Sequence, residues 1–217
     1  MYGVSGTIWN GQSNKITINN DLSLDDTEWT FSVWKLFIGQ VALQIQTHFD
    51  GYEIKTEAGV SFLSTYFVNN LSAIITAEKI TKLADIPIVQ LSGKIALDID
   101  HAHWKAETLP VASGQIIWHD ARITVAEATS LGKVTIDLSE NDQDLLNANI
   151  QNKGGDIFVS GTAELVPEAD YAVDIKLSPA STASDNIKSS LSLFAKKQKN
   201  GDFLIKNTGQ LNQLGLL

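Results

Sequence analysis

Apolar and polar residues alternate with a period of two along most of this chain, and that period specifies half-buried strands rather than helices. Val41, Leu43, Ile45, Thr47 and Phe49 alternate with Ala42, Gln44, Gln46 and His48. After Gly132, Val134, Ile136 and Leu138 alternate with Lys133, Thr135 and Asp137. Ile157, Val159, Gly161, Ala163 and Leu165 form another run, followed by Tyr171, Val173, Ile175 and Leu177. Turn residues join these runs. Val166-Pro167-Glu168-Ala169-Asp170 carries Pro and Asp in turn positions, and Gly154-Gly155 closes a turn after the strand ending near Ile150. Asn200-Gly201 is a strong hairpin signal, because both residues tolerate positive φ. With only 4 prolines in 217 residues few strands are interrupted, so the fold class is all-β and mostly antiparallel.

Two stretches break the rhythm. Ile80, Leu83 and Ala84 fall at i, i+3, i+4 before Ile86-Pro87, which stops a helix. Ile187, Leu191 and Phe194 fall at i, i+4, i+7 after the N-cap candidates Ser184 and Asp185. Each predicts a short amphipathic helix packed on a sheet.

The order of elements repeats. Ser5-Gly6, Trp9 and Ile16-Thr17-Ile18 are answered by Ser113-Gly114, Trp118 and Ile123-Thr124-Val125. Gly39-Gln40-Val41 corresponds to Gly132-Lys133-Val134, and Gly51-Tyr52-Glu53-Ile54 to Gly155-Asp156-Ile157. The expectation is one domain over 1–217, built as half-repeats 1–107 and 108–217. These are two similar, strongly curved antiparallel units packed together, with one short helix in each. The competing architecture is a single continuous twisted sheet. Glycines inside strands mark bulges, bends or a neighbouring ring lying across bare backbone. Trp9 and Trp118 are the expected rings, and Trp9, Trp34 and Trp118 together are expected to fill the interior and leave no continuous apolar channel.

Charge narrows the partners. The net charge of −9 argues against nucleic acid, whose affinity rests on basic residues, and against docking on anionic lipid through a polybasic face. At 43% hydrophobic residues the chain can bury a core, and the absence of cysteine removes thiolate chemistry and Cys-ligated metals. No apolar run reaches the ~18 residues that span a bilayer. The chain enters a strand at Ser5-Gly6-Thr7-Ile8-Trp9 without a signal-peptide pattern, so a leader or membrane anchor is expected upstream.

Chemistry-bearing motifs are sparse. His101-Ala102-His103 places two imidazoles on one side of a strand near Asp98 and Asp100, but no HExxH frame accompanies them. No G-x-S-x-G elbow and no phosphate-binding glycine loop is present. Glu140, Asp142 and Asp144 read as a solvated loop without the spacing of a calcium site. Lys196-Lys197-Gln198-Lys199 reads as a soluble sheet edge. No catalytic residue, metal or cofactor is assigned, and a non-enzymatic protein is expected. Trp29, Phe31 and Val33 share one face of an expected strand and Trp34 opens the other, which means burial on both sides or an exposed sticky strip.

The segments Ser5-Gly6-Thr7-Ile8-Trp9-Asn10-Gly11, Trp34 to Gly39, Ser113-Gly114 to Trp118, Leu131-Gly132, Gly154-Gly155 and Gly161 resemble the periplasmic part of the type II secretion system protein N family. The resemblance spans nearly the whole chain and rests on Gly and Trp marks of a fold. It implies fold-defining positions at Gly6, Trp9, Gly11, Trp34, Gly39, Gly114, Trp118, Gly132, Gly155 and Gly161. It also implies a periplasmic protein held at the inner membrane by an upstream anchor, with other secretion components as partners, among them inner-membrane platform or secretin-linking proteins. Repeated Ser-Gly-x-apolar strands are more loosely similar to periplasmic proteins of the AsmA type, which implies the alternative of lipid or apolar-ligand handling.

Overall fold

A computed structural model describes residues 1–18, 22–83, 89–106, 109–125, 127–141, 145–166 and 170–210. The chain is nearly all β. The first strands are β1 (Tyr2–Gly6), β2 (Asn10–Thr17), β3 (Ser23–Phe31), β4 (Gln40–Phe49), β5 (Tyr52–Ser61), β6 (Tyr66–Thr76) and β7 (Gln90–Trp104). They are followed by β8 (Val111–Thr124), β9 (Ala128–Glu140), β10 (Leu146–Lys153), β11 (Ile157–Val166), β12 (Asp170–Pro179), β13 (Lys196–Lys197) and β14 (Phe203–Gly209). Two short helices, α1 (Ala77–Leu83) and α2 (Asp185–Phe194), interrupt them, with a 3₁₀ segment at Val33–Ile38. The strands form one antiparallel sheet that is not closed. Each lies beside its chain neighbours as far as β12, and the order then ends β14, β13.

Local chemistry accounts for this meander. Phe49 faces Tyr52 across the two-residue loop Asp50-Gly51, whose φ angles of 53° and 79° make it the primed turn that matches strand twist. That loop sets the whole β4–β5 register, from Phe49↔Tyr52 to Gln40↔Ser61. Asn200-Gly201 turns the chain into β14, with the Gln198 N–H donating to the Asp202 carbonyl, as the sequence predicts. Lys196 and Lys197 form the terminal strand itself. The turn residues 167–169, the carboxylates Asp142 and Asp144, and the expected helix stop at Ala84, Ile86 and Pro87 lie outside the described residues.

The chain divides into two compact units, Met1–Ile75 with Ala96–Gly114, and Thr76–Ile95 with Gln115–Leu217. The second is organised around α2. Ser184 Oγ accepts the Ile187 N–H at 3.2 Å, capping the helix as its sequence predicts. Ile187 is then buried with Ala121, Leu131, Val134, Ile157 and Ala183, while Trp118 and Leu191 pack around them.

In the first unit, a buried hydroxyl pair, Thr27 Oγ1 to Thr47 Oγ1 at 2.7 Å, ties β3 to β4. The β4 alternation is shifted at its start: Ala42 is buried and Val41 is exposed, although Val41 is the residue that simple alternation turns inward. The reason is a cross-strand row, Ala42↔Gly59↔Phe67, in which the Phe67 ring lies over the bare Gly59 backbone. A Cβ at Gly59 would overlap that ring.

Phe203 on β14 is 1% exposed, so Phe203→Ala should cost ~3–5 kcal/mol, as core Phe truncations do. Phe194→Ala, at an exposed position, should change stability by no more than ~0.5 kcal/mol. Urea denaturation of both variants checks the pair.

Candidate docking surface

The run Val33–Ile38 sits between two strands but is not part of either. β3 ends at Phe31, whose N–H donates to the Trp9 carbonyl at 2.7 Å, and the next N–H, of Ser32, donates to the Ala42 carbonyl at 3.0 Å. The chain then winds into the 3₁₀ segment, with the Lys35 N–H on the Ser32 carbonyl and the Gly39 N–H on the Leu36 carbonyl. Gly39 ends it at φ 76°, the left-handed conformation a glycine adopts without penalty. The Phe62 N–H donates to the Gly39 carbonyl at 2.8 Å, which brings the β5–β6 turn against the segment. In that turn the Ser64 N–H donates to the Ser61 carbonyl at 3.0 Å.

A 3₁₀ helix repeats after about three residues, so positions i and i+3 share a side. Trp34 and Phe37 point outward together, 82% and 78% exposed with ring centroids 5.7 Å apart. Val33, Ile38 and Phe62 are exposed beside them, and Leu63 is 81% exposed. Lys35 turns the other way. Its Nζ lies 2.8 Å from Glu57 Oε1 on β5 and 5.7 Å from the centre of the Phe67 ring. Asn69 Nδ2 donates to Glu57 Oε1 at 3.1 Å, and Ser32 Oγ to Oε2 at 3.4 Å. Burial works against ionisation of Glu57 and is the largest single influence. The Lys35 hydrogen bond, the Asn69 hydrogen bond, the Lys35 charge and the Ser32 hydroxyl together outweigh it and hold the carboxyl below its usual range. An ion pair thus pins the base of a projecting apolar tip.

The predicted positions fall in different places. Gly6 ends β1, and Gly11 lies beneath the Trp29 ring, which its Cβ would overlap. Trp118 crosses the bare backbone at Gly93 and donates its indole N–H to the Ser92 carbonyl at 3.0 Å. Trp9 does not play that role: it stands edge-on to Phe31 at 4.8 Å and is 56% exposed. Gly114 lies against Ile99, Gly161 against Ile175, and Gly155 against Leu131 beside Gly132. Trp34 belongs to the tip and not to the interior. The expectation of three ring-filling tryptophans therefore holds for Trp118 alone.

His101 and His103 stand side by side on β7, rings stacked at 6.3 Å, with His101 Nδ1 2.8 Å from Ser113 Oγ. Asp98 and Asp100 are exposed, and among the described residues no three His, Asp or Glu side chains converge on a common point. A depression on β3–β6 is lined by Glu28, Thr30, Gln44, Ile45, Gln46, Lys55, Thr56, Glu57 and Asn70, mostly polar and charged side chains.

Residues 1–206 match the family described as Type II secretion system (T2SS), protein N. The chain belongs to that family. It is also 23% identical over 216 residues to the type II secretion system protein N of Aeromonas hydrophila, covering 97% of this chain and 84% of that one. No solved structure matches it significantly. The family match takes in the tip and all ten Gly and Trp positions named from the sequence. Sequence reading missed the roles of Lys35, Glu57 and Phe62. The one available signal was a lone cation inside an apolar run.

A lowered Glu57 pKa adds stability that is present above the ordinary glutamate value of 4.5 and lost as pH falls through the folded value. Glu57→Gln should therefore be less stable than the parent at about pH 7, and the deficit should shrink toward about pH 3. Urea denaturation at the two pH values reads this, and an equal deficit at both contradicts it.

Proposed function

We propose that this chain is a non-enzymatic periplasmic component of the type II secretion system. In this reading it is anchored at the inner membrane in the full-length protein and takes part in protein export across the outer membrane through contacts with other components. Membership of the protein N family over residues 1–206 carries the reading. The partners proposed are the inner-membrane platform or the proteins that link to the secretin.

An open sheet supports contact of this kind. β1 stands at one end of the strand order, and its outer edge carries no further strand among the described residues. Its residues are exposed, Tyr2 and Val4 among them. An extended partner segment would add main-chain hydrogen bonds there and read alternate side chains on one face. The other end is less inviting, because Lys196 and Lys197 form the terminal strand and charge discourages edge pairing. The half-repeats 1–107 and 108–217 remain part of the proposal as two copies of one curved unit.

The chain has no cysteine, so a single one introduced at Val4 is unique. Val4→Cys carrying a photoactivatable cross-linker should yield, in cells with an assembled secretion machine, an adduct with a platform or secretin-linking protein. Deleting that component should abolish the adduct. Intact secretion in cells lacking this chain, with no adduct from Val4→Cys, would overturn the reading.

A further inference from the structure

We propose that the tip formed by Val33–Ile38 and the Phe62-Leu63 turn is a bilayer-inserting element that seats in the interfacial region of a phospholipid membrane. The proposal goes beyond the secretion reading and does not depend on it.

The shape of the tip comes first. Trp34, Phe37 and Leu63 are each close to four-fifths exposed, so they project from the protein and line no groove. A protein partner would need a concave apolar socket of matching form, whereas a bilayer accommodates any apolar projection. Charge comes second. Lys35 is the only charged residue in 33–39, and none occurs in 61–65. That lysine is drawn back to Glu57 and neutralised there, so the projecting end of a chain of net charge −9 carries no charge. The backbone comes third. A loop entering lipid must satisfy its polar groups internally. The 3₁₀ turns do so for the Lys35 and Gly39 N–H groups, on the Ser32 and Leu36 carbonyls, and the Phe62 and Ser64 N–H groups donate to the Gly39 and Ser61 carbonyls, while the water of the interfacial region serves the first N–H groups of the segment. Composition agrees. Trp34 combines a large apolar ring with one indole N–H, the chemistry enriched at membrane interfaces.

The contact is interfacial, since no helix among the described residues is long and apolar enough to cross a membrane. It draws on apolar burial and not on attraction to anionic headgroups, which a chain of net charge −9 repels.

The test uses the full chain and sucrose-loaded vesicles of phosphatidylcholine, with and without phosphatidylglycerol. The chain should sediment with pure phosphatidylcholine vesicles, gain nothing from phosphatidylglycerol, and stay bound when salt is raised. Trp34→Ser/Phe37→Ser should weaken partitioning about tenfold or more, and Phe62→Ser/Leu63→Ser should act in the same direction. Thermal unfolding of both double variants should match the parent, because these side chains are exposed. Three outcomes overturn the proposal: no sedimentation of the parent, equal binding by the folded double variants, or binding confined to anionic vesicles and released by salt. Tip-dependent association with a soluble protein or a second copy of the chain, without vesicle binding, would assign the tip to a protein partner instead.

Discussion

Backbone hydrogen bonding between strands adjacent in sequence is the constraint on which the architecture rests. Each interior strand gives its donors and acceptors on one side to the strand before it and on the other to the strand after it. The exception is the end of the chain, where α2 intervenes and β14 takes the place beside β12, leaving β13 outermost. Such a meander is assembled from short-range hairpins, and it needs few long connections. Its cost is two open edges. At one of them two lysines form the last strand. At the other, β1 pairs with β2 from Tyr2↔Lys15 to Gly6↔Gly11 and, among the described residues, carries no strand on its outer side.

Glycine decides where the larger rings go. Gly11 pairs with Trp29 and Gly59 with Phe67, and in both cases the ring of the partner strand lies over the glycine. The sequence made it legible that strand glycines would accept rings. Which ring meets which glycine depends on register, Gly11↔Trp29 across β2–β3 and Gly59↔Phe67 across β5–β6, and linear order does not reveal it. Trp29 and not Trp9 lies over Gly11, because the β2–β3 register sets Trp29 directly opposite it.

Period-two alternation identified most strands, and the Ser184 cap with Ile187 and Leu191 identified α2, because both signals are local. The tip was not legible in the same way. Trp29, Phe31 and Val33 alternate as a strand would, and a short apolar run does not distinguish strand from helix. What ends the strand is tertiary: the Ser32 N–H is taken by the Ala42 carbonyl, and Lys35 is taken by Glu57, a residue 22 positions later. The shifted pattern at Val41 and Ala42 has the same origin, since Phe67 covers the face on which Ala42 lies.

The change of period at Ser32 matters for function because it sorts one apolar run into two surfaces. With a strand period, Trp34, Leu36 and Ile38 would share a face and Lys35 would stand with Phe37 on the other, so the two aromatic rings would be split and one of them would sit beside the lysine. With a repeat of about three, Trp34 joins Phe37 on the outside, and Lys35 joins Ile38 on the side that lines the depression shared with His101 and His103. The lysine then meets Glu57, which burial alone would push toward neutrality and which Lys35, Asn69 and Ser32 keep ionised. The exposed rings add little to the stability of the fold, since they touch mainly each other and solvent. The ion pair beneath them orients the segment and removes its only charge from the outer surface. Stability and surface chemistry are thereby separated within seven residues: the sheet holds the base of the tip through Lys35 and Gly39, and the outward rings are left free to meet whatever the tip contacts.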